Sequence, residues 1–264
     1  MKKIILFLFM ILSLISYSEK VTTYYENGTL YKTANFRDGK LEGELLVYYE
    51  NGKVEVKSNW KDGKLEGERI FYYKNGKISE KSNWNGGKQE GEVVIYYENG
   101  NIEGMANWEN GKQEGETIYY YENGKIGQKS NWRKGKIEGL VTHYYENGKI
   151  SEESNWKDGK QEGKTIGYYE NGNIEGKSNW KDGKLEGTAI IYYENGKIKG
   201  KINFKNGKQE GITLLYHENG NISEKSSWKN GKEEGEVYLY DVDGNLYRIE
   251  TYSDGKVENI LRMY

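Results

Sequence analysis

Apolar and polar residues alternate along this chain with a period near two, and pairs such as Asn-Gly and Asp-Gly interrupt the alternation at regular intervals. Residues 53 to 76 read Lys-Val-Glu-Val-Lys-Ser-Asn-Trp, then Lys-Asp-Gly-Lys, then Leu-Glu-Gly-Glu-Arg-Ile-Phe-Tyr-Tyr, then Lys-Asn-Gly. β-Branched and aromatic runs between such dipeptides predict strands joined by hairpin turns. Both turns suit a two-residue type I′ loop, whose central residues need φ > 0. Glycine or Asx at least every dozen positions disfavours helix, and no apolar spacing of 3.6 persists. The expected fold class is all-β.

The pattern returns every 24 residues without insertion or deletion, placing tyrosine at 24, 48, 72, 96, 120, 144, 168, 192, 216, 240 and 264. Such a period marks an array whose units bury apolar surface only against their neighbours. The expectation is an elongated array of about ten β-hairpin repeats forming a single twisted antiparallel meander of about 21 strands. Two-residue turns would set Tyr73 opposite Ile78, Gly67 opposite Trp84, Trp60 opposite Leu65 and Ser58 opposite Gly67. One face would then collect the indoles, the Ile/Val/Leu slot, the second tyrosine of each pair and the glycine, which would leave room for an indole to lie flat. Thirteen residues separate Asp62 from Asn75 but eleven separate Asn75 from Gly86. Either the sheet slips two residues per repeat, tilting its strands by roughly 35°, or a bulge in each long strand absorbs the difference and reverses the faces beyond it.

Residues 1–18 stand outside the period. Lys2 and Lys3 precede an apolar run from Ile4 to Ile15, and Ser16-Tyr17-Ser18 supplies small residues at the cleavage positions, so a signal peptide removed near Ser18 is expected. The run is too short to span a bilayer as a helix. Residues 19–264 form the array, with a degenerate cap at about 241–264, where Tyr252 replaces tryptophan, Glu250 the small residue and Asp241 the second tyrosine. These polar substitutions are expected to blunt an exposed edge strand. There is no cysteine, so no disulfide contributes to stability. Without Lys2 and Lys3 the 39 basic residues become 37 against 41 acidic ones. Lys and Glu alternate within every repeat rather than forming a basic stripe, which argues against nucleic acid and gives no strong case for membrane lipid.

Tyr-Tyr-Glu-Asn-Gly-Lys followed by Asn-Trp-Lys-Asp-Gly-Lys-Leu-Glu-Gly resembles the MORN repeat variant, as in bacterial YwqK-family antitoxin-like proteins, over residues 21 to 264. The resemblance implies a β-hairpin array with a role in protein or surface interaction. An antitoxin role, which the family label carries, sits poorly with an export signal.

No catalytic, cofactor or metal residue is expected. His143 and His217 fall in different slots of different repeats and read as drift. Gly159-Lys-Gln-Glu-Gly-Lys-Thr165 is one residue short of a phosphate loop and lies between strands. Carboxylate pairs such as Glu66 and Glu68 recur, whereas a catalytic pair is singular, so they read as solvated charge. Asp38, Asp62, Asp158, Asp182 and Asp254 occupy turns, yet lysine follows each turn glycine, which a calcium ladder would not tolerate.

What remains is an aromatic ladder. Trp60, Trp84, Trp108, Trp132, Trp156, Trp180 and Trp228 share one slot, and Tyr49, Tyr73, Tyr97, Tyr121, Tyr145, Tyr169 and Tyr193 share another. Together they are the candidate interaction stripe, besides being the bulk of any core a thin sheet can have. The expected function is an exported, non-enzymatic protein-interaction or envelope and adhesion scaffold. Cell-wall carbohydrate is the alternative partner class, and the edge strands offer a route to self-association.

Overall fold

The computed structural model describes residues 17–263. The expected signal peptide lies outside the described residues, save for Tyr17 and Ser18. Among the described residues there are twenty-six strands and no helix. Five long strands are broken by a single residue, as at Lys88–Gln89 and Gly91–Tyr96, and counting each once returns the expected twenty-one. The chain divides into two compact units. The first runs to Ile126 and includes Trp132–Lys136; the second takes Gly127–Asn131 and continues from Ile137. Within each, the strands follow one another as an antiparallel meander.

Val54–Lys61, Lys64–Tyr72 and Ile78–Asn85 show the register of the first unit. Asp62 and Gly63 both have positive φ, 50° and 78°, and Trp60 faces Leu65, as a type I′ turn requires. The other turn differs from expectation. Tyr73 N–H donates to Lys77 O at 2.8 Å, Gly76 N–H donates to Tyr73 O at 2.8 Å, and of the loop residues Lys74, Asn75 and Gly76 only the glycine has positive φ. This is a three-residue loop, a type I turn closed by a left-handed glycine. Asparagine serves it as an acceptor, its Oδ1 taking the Lys77 N–H at 2.8 Å. The extra loop residue puts Tyr72, not Tyr73, opposite Ile78.

The two-residue slip does not occur. Ser58 faces Arg69, not Gly67, and Arg69 in turn faces Ser82, so equivalent residues of adjacent repeats flank the same partner. The second unit repeats this with Ser154, Thr165 and Ser178. A bulge absorbs the difference: Glu66, Gly67 and Glu68 span the interval that Asn59 alone spans on the neighbouring strand. Because the excess is two residues, parity survives and the faces are not reversed. Gly67 sits in this bulge at φ +75°, with nothing within 4 Å of where a Cβ would be. Its role is therefore backbone conformation, not space for an indole.

The core is made of small side chains. Ser58, Ser82, Ser130, Ser154 and Ser226 are at most 1 % exposed, and Val93, Thr117, Val141, Thr213 and Val237 are also buried. These are two columns facing one another across the strands, as Ser154 faces Val141 and Thr165. No tryptophan is fully buried; each is half-buried. In a single layer, the serines are covered only because larger neighbours on the same face fold over them.

Candidate interaction surface

The constant residues of the period form bonds between neighbours. Tyr49 Oη donates to Tyr72 O, Tyr97 to Tyr120 O and Tyr193 to Tyr216 O, each at 2.6 Å, and Tyr169 donates to Tyr192 O at 2.7 Å. Tyr73 and Tyr145 make the same bond. Each reaches one repeat onward, so the second tyrosine of the pair is a clamp between repeats whose hydroxyl is already engaged. Burial pushes the hydroxyls of Tyr49, Tyr73, Tyr97, Tyr145 and Tyr169 above the ordinary tyrosine value, with neighbouring glutamates such as Glu55, Glu103 and Glu175 adding to it. His217 stands in the tyrosine slot, and its Nε2 lies 2.9 Å from Tyr240 O, where a donating Nε2–H replaces the phenol. His143 stands in a strand opposite Gln128 and Glu152, far along the chain from His217 and in no shared site.

The tryptophans are held by the small column. Trp60, Trp156 and Trp228 donate Nε1–H to the Oγ of Ser58, Ser154 and Ser226 at 3.0 Å, and Trp84 and Trp180 to Ser82 and Ser178 at 3.1 Å. The serine thus occupies the floor and anchors the ring above it. A larger residue there would displace the indole.

The first glutamate of each Glu-Gly pair is not merely solvated. Glu42 Oε2 accepts the Asp62 N–H at 2.9 Å, Glu66 that of Gly86 at 2.8 Å and Glu162 that of Asp182 at 2.8 Å. Beside them, Gly63 N–H donates to Leu41 O and Gly183 N–H to Gln161 O, both at 2.9 Å. Every such turn is docked onto the preceding repeat. Lysine or asparagine after the other turn does likewise, as Lys53 Nζ to Asn75 O at 2.6 Å and Asn173 Nδ2 to Glu194 O at 2.7 Å. Sequence reasoning missed these partners, because a period reveals which residues are equivalent but not which atoms meet.

The degenerate segment is also paired internally. Glu250 is 7 % exposed, so it does not blunt an edge. It bonds Arg248 and accepts the Tyr252 hydroxyl at 2.7 Å, copying the serine and indole arrangement with a carboxylate and a phenol. That bond, helped by burial, pushes Tyr252 up to about 12. Asp241 turns its carboxylate onto its own loop, accepting the Asn245 N–H at 2.8 Å, which lowers its pKa.

One position that the repeats do not share is left exposed. The solvent-facing position after the bulge glycine is Glu44, Glu68, Glu92 and Glu116 in the first unit, and Leu140, Lys164, Thr188, Ile212 and Glu236 in the second. Leu140 and Ile212 are 46 % and 48 % exposed. Among the described residues no cluster of three or more histidine, cysteine or carboxylate side chains could hold a metal, and no helix is long and apolar enough to cross a membrane.

An array of β-hairpins whose constant side chains bind neighbouring repeats belongs to the class of repeat proteins. A family model described as MORN repeat variant matches residues 20–38, 41–62, 65–85, 89–110, 113–134, 137–158, 161–182, 185–206 and 209–230, and the chain belongs to that family. Its repeats are in general protein- and membrane-interaction repeats. No curated protein matches the chain. Solved structures similar to it include a crystal structure of TcdB2-TccC3, 13% identical over 90% of this chain with a TM-score of 0.20, and one of TcdB2-TccC3-Cdc42, 14% identical over 90% with a TM-score of 0.20. A Photorhabdus luminescens Tc holotoxin pore is 11% identical over 93% with a TM-score of 0.19. The chain spans 14%, 14% and 17% of those chains, and nothing about its function follows from likeness at these scores.

Proposed function

We propose that this chain is an exported, non-enzymatic interaction scaffold that meets a protein partner through the positions that differ between repeats. One observation carries the reading: the second-tyrosine hydroxyls, turn amides and bulge glutamates are engaged by adjacent repeats, and the indole nitrogens of Trp60, Trp84, Trp156, Trp180 and Trp228 by a serine of their own strand, so the constant surface is committed to holding the array. A partner then reads the variable exposed positions, such as Leu140, Lys164, Thr188 and Ile212. Export rests on the Lys2-Lys3 start and the apolar run from Ile4 to Ile15.

The experiment is crosslinking and pull-down with residues 19–264 as bait, beside a variant carrying Leu140→Glu and Ile212→Glu. A partner retained by the first and lost by the second is the expected result. Failure to capture any protein at micromolar bait, or equal capture by both, overturns the proposal.

A further inference from the structure

We propose that a hollow in the first unit, between Arg69 and Tyr119, binds a neutral saccharide. The hollow is open to solvent on one side, has a volume of about 360 Å³ and is lined by Trp84, Trp108, Val93 and Ala106, with Arg69, Glu80, Gln89 and Gln113 among its polar groups. That volume lies at the lower end of the range for small-molecule sites.

The local sequence departs from the period where the hollow forms. Ala106 stands where Ser58, Ser82 and Ser154 stand in other repeats, and Gly104 stands where Val56, Glu80 and Glu152 do. The first change lowers the floor, and the second makes room for the ring of Tyr119. The missing serine leaves Trp108 as an indole whose Nε1–H has no partner among the described residues, unlike Trp84 on Ser82. The ring of Tyr119 lies over Gly104, where a Cβ would come within 2.8 Å of it, and that tyrosine is 41 % exposed.

Charge selects the ligand. Arg69 lies over the Phe71 ring, its guanidinium carbon 4.3 Å from the centroid, and has no hydrogen-bond or ion-pair partner among the described residues. Burial lowers its pKa, opposed by the carboxylate of Glu80. One positive and one negative group line the same hollow, so an anion would meet Glu80 and a cation would meet Arg69. A purely apolar ligand would strip water from both and return no hydrogen bonds. A pyranose supplies what the site lacks: C–H faces for the indoles of Trp84 and Trp108, about 9.6 Å apart at one repeat, and paired hydroxyls for a planar guanidinium, carboxylate and amides.

The site is independent of the protein-partner reading and is tested separately. Cellotetraose, maltotetraose and chitotetraose are titrated into the chain while the Trp108 indole N–H resonance and the binding heat are followed. At least one should shift that resonance, and Ala106→Ser should weaken binding by about tenfold or more. This variant restores the residue of the other repeats, both filling the floor and occupying the indole N–H, so its unfolding midpoint should not fall. Trp108→Ala should abolish the binding, and Ser154→Ala, in the second unit, should leave it unchanged. No response to any of the three sugars at about 10 mM, or unchanged affinity in Ala106→Ser, overturns the proposal.

Discussion

Tyr169 illustrates how a residue that looks like decoration at the end of a strand belongs to two repeats at once. Its ring packs in one repeat and its hydroxyl closes onto Tyr192 O in the next. Tyr169→Phe keeps the packing and removes only that bond, so denaturant unfolding should show a loss of about 1 kcal/mol. Ser154→Ala should cost a similar amount, because the Trp156 N–H would lose its acceptor above a closed floor. The importance of these residues was legible from their recurrence alone. Their partners were not, since twenty-three residues separate Tyr169 from Tyr192 and only the register says that they meet. The burial of Ser58 was not legible for the opposite reason, because a short polar side chain carries no core signal even when it is the most buried residue of its repeat.

At the scale of the element, the strands and the Asp-Gly turns follow from β-branched, aromatic and left-handed residue preferences, and the structure agrees with both. The Asn-Gly turn was misread because asparagine tolerates positive φ and also accepts hydrogen bonds, and the dipeptide does not say which property is used. The unequal half-repeats did point to the bulge as one of two solutions, and Gly67 carries it. Gly67→Ala should destabilise the chain by more than about 1 kcal/mol although nothing crowds the site, since alanine resists positive φ. Gly104→Ala should fail through contact with the Tyr119 ring instead, and Tyr119→Ala should rescue it but not Gly67→Ala. Unfolding midpoints of the four variants distinguish conformation from space.

For the whole molecule, the tyrosine hydroxyl bonds, within the last repeats and between neighbouring ones, set its response to pH. Tyr252, held by Glu250, titrates at about 12 rather than 10.0, and the clamp tyrosines are raised as well. A raised pKa favours the protonated form in the folded state, so this stability is fully present below pH 10 and is lost as pH rises through the folded value. Ionised phenols cannot donate to the carbonyls they clamp. Unfolding followed by circular dichroism should therefore show stability falling between about pH 10 and 12, with the loss reduced in Tyr252→Phe. Neighbouring repeats are stacked in register, turn onto strand, by their constant residues. Amide hydrogen exchange at Asp182 and Gly183 tests this stacking most directly, because hairpin tips ordinarily exchange fast, whereas here both N–H groups donate to the preceding repeat. Protection comparable to that of the adjoining strand amides is the predicted result, and exchange at the rate of an exposed loop would contradict it.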